Sequence, residues 1–355
     1  MKALITSGGR GTRLRPITHT QNKHLIPIAN KPILHYALDY VSEAGITEVG
    51  IVTNAGSTAV QDAIGDGGRW GIEITYIPQA EPLGLAHVVK ISEDFIGQEP
   101  FIFYLGDNIV VGGIQRFIDE FERAGSNCHL VLAQVKDPER FGVPVIENNR
   151  IVRVEEKPEH PKSSFAVSGI YLYDHHIFEA VNNIEPSGRG ELEISDAHQY
   201  LLDKGLEVSY SEITGWWKDT GKPLDLLEAN RLILDNLPSN YVYQGIDGDT
   251  TVLGRVEIAG SARIVNSNIR GPAIIGENAV VENAYIGPYT SIARDAIIRN
   301  CEVEYSIILN GCRLEDVDLR IESSLLGEEA EIVKADPKPK THRFIIGNQS
   351  RIEIT

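Results

Sequence analysis

Aliphatic residues recur at a strict spacing of six in the last third of the chain: Ile274, Val280, Ile286, Ile292 and Ile298 form one run, Val252, Ile258 and Ile264 an earlier one. A period of six matches neither an α-helical face nor a plain pleat. It fits a left-handed parallel β-helix, in which each hexapeptide makes one flat side of a triangular coil and turns one aliphatic side chain inward. Gly276, Gly287, Asn278 and Asn283 suit the tight corners, where a positive φ is needed. A β-sandwich, with turns every 8 to 12 residues or so, does not hold such a register. The spacing predicts coils over residues 251–333, a linker over 237–250 opening at Leu237-Pro238, and a C-terminal tail or cap over 334–355. Within that tail, Asp336-Pro-Lys-Pro-Lys340 ends the coils, and Phe344 to Ile354 reads as a capping strand.

Residues 1–236 follow a different rule, alternating short apolar runs with helical periods. Lys2 to Ser7, Val49 to Thr53, Ile74 to Ile77, Phe101 to Leu105 and Leu130 to Ala133 read as strands, and Ile33 to Ala44 carries its apolar residues at helical spacing. Strands separated by helices imply crossovers and a mainly parallel sheet, so the class is α/β. Closer strand signals at Ile151 to Val154, Val167 to Tyr173 and Val208 to Ile213, around a helix at Ile194 to Lys204, make that sheet mixed.

Charge limits the partners. Thirty-three Lys and Arg against fifty Asp and Glu leave a net charge of -17, which repels nucleic acid and anionic membranes. An anionic substrate therefore needs a local basic cluster. No apolar run approaches the roughly 20 residues of a membrane helix, and the N-terminus reads as a strand rather than a leader, so a cytoplasmic protein is expected. Cys128, Cys301 and Cys312 are scattered, without disulfide or zinc-ribbon spacing, and His175-His176 reads as a solvated helix start rather than a metal pair.

The basic cluster follows the first strand. In Ser7-Gly8-Gly9-Arg10-Gly11-Thr12-Arg13-Leu14 the glycines let backbone N–H groups approach phosphate oxygens, and Arg13 adds a charge-assisted fork. It is not a dinucleotide fingerprint, since Leu14 stands where the third glycine belongs and Thr53-Asn54 where an acid would close the second strand. Nor is it a Walker loop, because no GK[ST] string occurs. Lys23, in Gln21-Asn-Lys-His-Leu-Ile-Pro27, joins Arg13 as a holder of polyphosphate, and Lys31-Pro32 follows.

These residues, in this order, resemble the sugar-1-phosphate nucleotidylyltransferases. Leu105-Gly-Asp-Asn108, Pro138-Glu-Arg-Phe-Gly-Val143, Glu155-Glu-Lys-Pro158, Ser168-Gly-Ile-Tyr171, Arg189-Gly-Glu-Leu-Glu193 with Ser195-Asp196, and Trp217-Lys-Asp-Thr-Gly221 extend the likeness over residues 1–236. Among that family they resemble the glucose-1-phosphate thymidylyltransferases, and with the hexapeptide segment the longer form of those enzymes. The resemblance implies a Rossmann-like nucleotidyltransferase domain with a mixed, mainly parallel sheet, followed by the β-helix. It also implies a reaction in which the phosphate oxygen of glucose 1-phosphate attacks the α-phosphorus of dTTP and expels pyrophosphate.

Site roles follow from the same resemblance. Gly8, Gly9, Gly11, Thr12 and Arg13 would cradle the triphosphate, Lys23 would stabilise the α-phosphate and the leaving group, and Asp107 with Asp219 would hold Mg²⁺, a hard ion suited to oxygen ligands. Asn108, Gly142, Glu156 and Gly169 would surround the sugar phosphate, with Lys157 and Arg189 on its phosphate, although Glu155, Arg189 and Glu191 equally suit a surface ion-pair set. The string Gln79-Ala-Glu-Pro82-Leu-Gly84-Leu-Ala86 implies the base site: the Gln79 amide matches the O4 and N3–H edge of a pyrimidine, and Gly84 allows close approach. Thr6-Ser7 replaces the usual Leu-Ala and brings hydroxyls toward the base or ribose; Phe141 replaces a tyrosine common in the shorter enzymes.

Three other functions share part of this pattern. A UTP-dependent uridylyltransferase shares the recognised base edge. An acyltransferase β-helix lacks a base, with no histidine between His198 and His342. A non-catalytic regulatory or scaffold subunit fits the β-helix but not the intact Arg13, Lys23, Asp107 and Asp219. The expected state is a homo-oligomer, since a parallel coil stack leaves its last turn uncovered.

Overall fold

The computed structural model describes residues 1–9, 11–238, 246–334 and 349–353. The expected capping strand, the Asp336–Lys340 segment and most of the linker lie outside the described residues. The chain packs as two compact units that interleave along the sequence: Met1–Arg10, Asn22–Leu25 and Ile33–Asp219 form one, and Gly11–Gln21, Ile26–Pro32 and Thr220–Thr355 the other.

The first unit is built on a seven-stranded sheet in the order Val208–Glu212, Cys128–Gln134, Phe165–Tyr173, Phe101–Leu105, Lys2–Thr6, Glu48–Asn54 and Glu73–Gln79. Phe165–Tyr173 runs antiparallel to both its neighbours, and the remaining pairings are parallel, which gives the mixed sheet the sequence predicts. Alternation along each strand serves both faces. Leu4, Phe101 and Phe103 pack with Ala86, Val88 and Val89 of the Leu85–Lys90 helix on one side, whereas Ala3, Ile5, Ile102 and Tyr104 pack with Leu34, Leu38 and Val41 of the Ile33–Glu43 helix on the other. Burying each such side chain contributes roughly 1.5 to 3 kcal/mol before conformational entropy is counted.

This topology places the chemistry. Parallel strands send Ser7, Asn54, Gln79 and Asp107 out at or beside their carboxyl ends along one edge of the sheet, the edge where open α/β sheets bind ligands. Asp174 caps the His176–Asn183 helix by accepting from the His176 backbone N–H at 3.0 Å and bonding its ring Nδ1 at 2.9 Å. Asp174, His175 and His176 thus form a helix start, as expected, although their ligand atoms lie within 4.8 Å of one another. The three cysteines are buried free thiols.

In the second unit, three parallel five-stranded sheets stack into a triangular coil. Its register differs from strict hexads. Ile264 pairs with Val281 and Val281 with Ile298, so a full coil there takes seventeen residues rather than eighteen. Between Ile298 and Leu314 it takes sixteen, and between Leu314 and Ile332 eighteen. The inward residues are therefore Ile269, Ile275, Val281, Ile286, Ile292, Ile298 and Val303. Two members of the predicted run fall out of phase: Val280 is only half-buried, and Ile274 turns outward onto Ala29 and Leu234. Coils that fall one or two residues short of eighteen shift the phase without changing the fold. Corner residues Asn266, Asn278, Asn283 and Asn300 take positive φ, whereas Gly276 and Gly287, expected at such corners, do not: a Cβ on Gly276 would instead meet the Ala293 backbone carbonyl carbon at 2.8 Å, and one on Gly287 the Glu304 side chain at 2.7 Å.

Pro223–Leu234, a helix opened by its own proline, lies against this coil through Asn230. That side chain is fully buried, accepts from the Ala29 backbone N–H at 2.8 Å and the Ser291 hydroxyl at 2.9 Å, and donates to the Tyr289 carbonyl at 3.0 Å. Asn30 donates to the Ile292 carbonyl at 2.7 Å, so the Pro27–Pro32 hairpin is fastened to the same coil. No helix among the described residues is long and apolar enough to cross a membrane.

Candidate active site

Lys23 and Asp107, 84 positions apart, form an ion pair at the carboxyl edge of the sheet. Each is mostly buried, with side-chain exposures of 15% and 12%. Burial by itself would raise the Asp107 pKa, but the Lys23 ammonium beside it and its hydrogen bonds hold it below the usual carboxylate range. The carboxylate is therefore charged throughout the neutral range. His24, packed in the same place, is pushed down to about 3 by burial and by Lys23, and stays neutral.

The glycine loop meets this pair directly. A Cβ on Gly9 would stand 2.6 Å from Lys23 Cε, so the lysine stem lies against bare backbone that no other residue type could offer. Asn22, which the sequence reading passes over, ties the two segments together: its Nδ2 donates to the Ser7 carbonyl at 3.3 Å, and its Oδ1 accepts from the His24 backbone N–H at 2.9 Å. The Ser7 hydroxyl, expected near the base or ribose, instead donates to the Val52 carbonyl at 3.1 Å and is fully buried. Gly11, Thr12 and Arg13 belong to the second unit, where Thr12–Leu14 forms one 3₁₀ turn with Leu14 buried and Arg13 exposed.

Asp219 closes the short strand Trp217–Asp219, which pairs antiparallel with Asn108–Val110 and sets Asp219 opposite Asn108, the neighbour of Asp107. Of the two predicted carboxylates, Asp219 therefore ends a short strand and Asp107 lies in the turn that leads into its partner strand. Asn108 is fully engaged in the same cluster, donating to Asp107 Oδ1 at 3.2 Å and accepting from the Trp217 indole N–H at 2.6 Å. Trp217 carries no charge and makes no motif by itself, so its link to Asn108 was not legible from spacing.

Glu156 pairs in register with Gly142 at the start of its strand. Its carboxylate accepts from the Ser195 hydroxyl at 2.7 Å and lies 3.1 Å from Lys157 Nζ and 3.3 Å from Arg189 Nη2. Gly169 sits where the Phe165–Tyr173 strand slips register between Val167 and Tyr171, with Asn108 Nδ2 nearby. Arg189 spends its charge on three acids: Glu193 at 2.8 Å, Glu156 at 3.3 Å and Glu191 at 3.9 Å. Glu155 pairs elsewhere, with Arg153 at 3.1 Å and Lys162 at 3.6 Å, so the anticipated ion-pair set exists without it.

At the end of the Glu73–Gln79 strand the Gln79 amide is buried, its Nε2 3.0 Å from His87 Nδ1. Pro82 is exposed in the turn that follows. The close approach at Gly84 is to protein: with φ 101°, a Cβ there would stand 2.4 Å from the Leu192 carbonyl oxygen.

Comparison with known proteins agrees with this geometry. A family model described as nucleotidyl transferase matches residues 2–236. Two relatives from Streptomyces griseus and Streptomyces antibioticus, both named glucose-1-phosphate thymidylyltransferase, are 46% and 45% identical over all of this chain and 100% and 99% of their own lengths. A solved Bacillus anthracis chain described as the same enzyme is 39% identical, with a TM-score of 0.63 over 68% of this chain and 98% of its own. A charged carboxylate–lysine centre beside a glycine loop, together with a match over two thirds of the sequence, leads to one conclusion: the chain belongs to the nucleotidyl transferase family.

Proposed function

We propose that the protein transfers a thymidylyl group from dTTP to glucose 1-phosphate, giving dTDP-glucose and pyrophosphate. The observation that carries this reading is the buried Lys23–Asp107 pair against the glycine loop, in a chain similar over its full length to proteins of that name. A phosphate oxygen of the sugar phosphate forms a bond to the α-phosphorus while the bond to the bridging oxygen breaks, and pyrophosphate departs with the electron pair. No group has to be covalently modified, so positioning and charge supply the catalysis.

Lys23 neutralises charge growing on the α-phosphoryl group, and Arg13 with the Gly8–Thr12 backbone steadies the triphosphate. Asp107 and Asp219 suit Mg²⁺: both are carboxylates, Asp219 pairs in register with Asn108, the neighbour of Asp107, and Asp107 is held ionised in a buried place. When bound there, Mg²⁺ would screen the triphosphate's negative charge. Glu156, fixed by Ser195, accepts sugar hydroxyls, and Lys157 faces the sugar phosphate. Arg189, matched by three acids, contributes to phosphate binding only through partner exchange with Glu156.

Gln79 reads the pyrimidine edge shared by thymine and uracil, which makes UTP the natural second substrate. Residues 1–236 form the catalytic part in this reading, and 251–333 brace the enzyme or assemble it as a homo-oligomer. Three buried unpaired thiols support a reducing, cytoplasmic setting. The test is a pyrophosphate-release panel crossing dTTP, UTP, CTP, ATP and GTP with glucose 1-phosphate. Release with dTTP that depends on the sugar phosphate is expected; no release with either dTTP or UTP overturns the reading.

A further inference from the structure

Thymine and uracil present three hydrogen-bonding groups in a row along one edge: O2 accepts, N3–H donates and O4 accepts. A primary amide offers one donating nitrogen and one accepting oxygen, so it spans two neighbours of the three. Gln79, set against O4 and N3–H, leaves O2 unmatched. A carbonyl oxygen taken out of water without a donor is costly, so a site built for this edge needs a second donor beside the first.

Asn54 stands where that donor belongs. It closes the Glu48–Asn54 strand and pairs in register with Gln79 at the end of the neighbouring parallel strand, so the two amides leave the sheet side by side. They meet at Gly8. A Cβ on that residue would stand 3.2 Å from Asn54 Oδ1 and 3.5 Å from Gln79 Oε1, so the bare Cα leaves open a space that both amides border. Asn54 is half-buried, and its backbone carbonyl accepts from the Ser57 N–H at 3.3 Å, yet its side-chain amide has no hydrogen-bond partner among the described residues. An amide held by no partner can turn its nitrogen to an arriving acceptor, since half a turn about its last bond exchanges oxygen for nitrogen.

We propose that Asn54 is a second base-binding residue, donating from its amide nitrogen to the pyrimidine O2 while Gln79 covers O4 and N3–H. This rests on the functional reading above, in which Gln79 meets the base. O2 is common to thymine, uracil and cytosine, so Asn54 strengthens the binding of pyrimidine nucleotides without choosing among them.

The test compares kcat/KM for dTTP and 2-thio-dTTP, in which sulfur, a weak acceptor, replaces O2. It is run at saturating glucose 1-phosphate with the full-length wild type, Asn54→Ala and Asn54→Asp. The aspartate keeps the shape of the side chain and, ionised, cannot donate. Wild type should favour dTTP about tenfold, the scale of one hydrogen bond, and the preference should fall toward unity in both variants, because removing either partner loses the same bond. A side chain that only braces the strand end would lower both nucleotides alike and leave the ratio standing, which overturns the proposal. So does a wild type that makes no distinction between oxygen and sulfur. A wild type that uses neither dTTP nor UTP overturns the functional reading and this proposal together, whereas a pyrimidine-using wild type whose ratio ignores residue 54 overturns the proposal alone.

Discussion

Asp107 and Lys23 hold opposite charges in a place mostly closed to water, and each is costly there without the other or a ligand to match it. Replacing Asp107 by Asn keeps the shape and removes the charge, so kcat/KM should fall by about 10² or more and the thermal midpoint should drop, because Lys23 loses its counter-charge; a normal rate at ordinary Mg²⁺ would remove Asp107 from the site. Lys23→Ala should depress kcat more than it raises the KM for glucose 1-phosphate, and Lys157→Ala should do the reverse, because only the first faces charge that develops during transfer. Equal kinetic signatures in the two variants would show the lysines are misassigned. At this scale the sequence was legible where a polar residue closed a strand, as with Gln79 and Glu156, or stood in a turn between elements, as with Lys23 and Asp107. Asn22, His87, Ser195 and Trp217 were not, because each matters only through a partner that folding brings near. Ser7 shows the converse: its hydroxyl looked like a ligand contact and is used up inside the sheet.

Elements were more legible than contacts. The helices and strands given bounds from the sequence in the first unit fall within a residue or two of them, since the 3.6 and 2 periods report burial directly, whereas short helices such as Ala59–Ile64 and Leu85–Lys90 were not read. The coil was legible as a class but not in phase, because corners that lose one residue leave an aliphatic at nearly every sixth position and disguise Ile274, which packs outward, as an inward residue. Asn230 was missed for a related reason: an asparagine in a helix reads as surface until the coil closes over it. With one hydrogen bond from Ala29, one from Ser291 and one to Tyr289, Asn230→Ala should cost about 2 kcal/mol or more, seen as a lower thermal midpoint. A shift too small to measure would mean that water replaces the amide.

Buried histidines give the whole molecule a dependence on pH. Burial depresses His198, bonded to the Tyr173 hydroxyl at 2.6 Å, to about 3, and His129 to about 4, beside His24 at about 3. Unfolded histidine titrates near 6.5, so below that pH the unfolded chain binds protons that the folded chain refuses. This contribution to stability is complete above about pH 6.5 and is lost as pH falls toward the folded values, at up to about 1.4 kcal/mol per pH unit for each residue. The thermal midpoint should therefore drop between pH 7 and 5, and drop less in His198→Gln, which keeps an acceptor for Tyr173 but cannot titrate; parallel curves would contradict this. The interleaving of the two compact units was not legible, since Gly11–Gln21 and Ile26–Pro32 are too short to carry a compositional signature of their own.

The property on which everything above turns is which nucleotide is transferred. Thymine and uracil differ by a methyl group, worth about 1 kcal/mol or somewhat more in an apolar pocket, and their sugars differ by a 2′-hydroxyl. The direct measurement is the ratio of products formed from equal concentrations of dTTP and UTP with limiting glucose 1-phosphate. dTDP-glucose is expected in modest excess with UDP-glucose detectable beside it; a clear excess of UDP-glucose, or no sugar nucleotide at all, overturns the thymidylyl assignment.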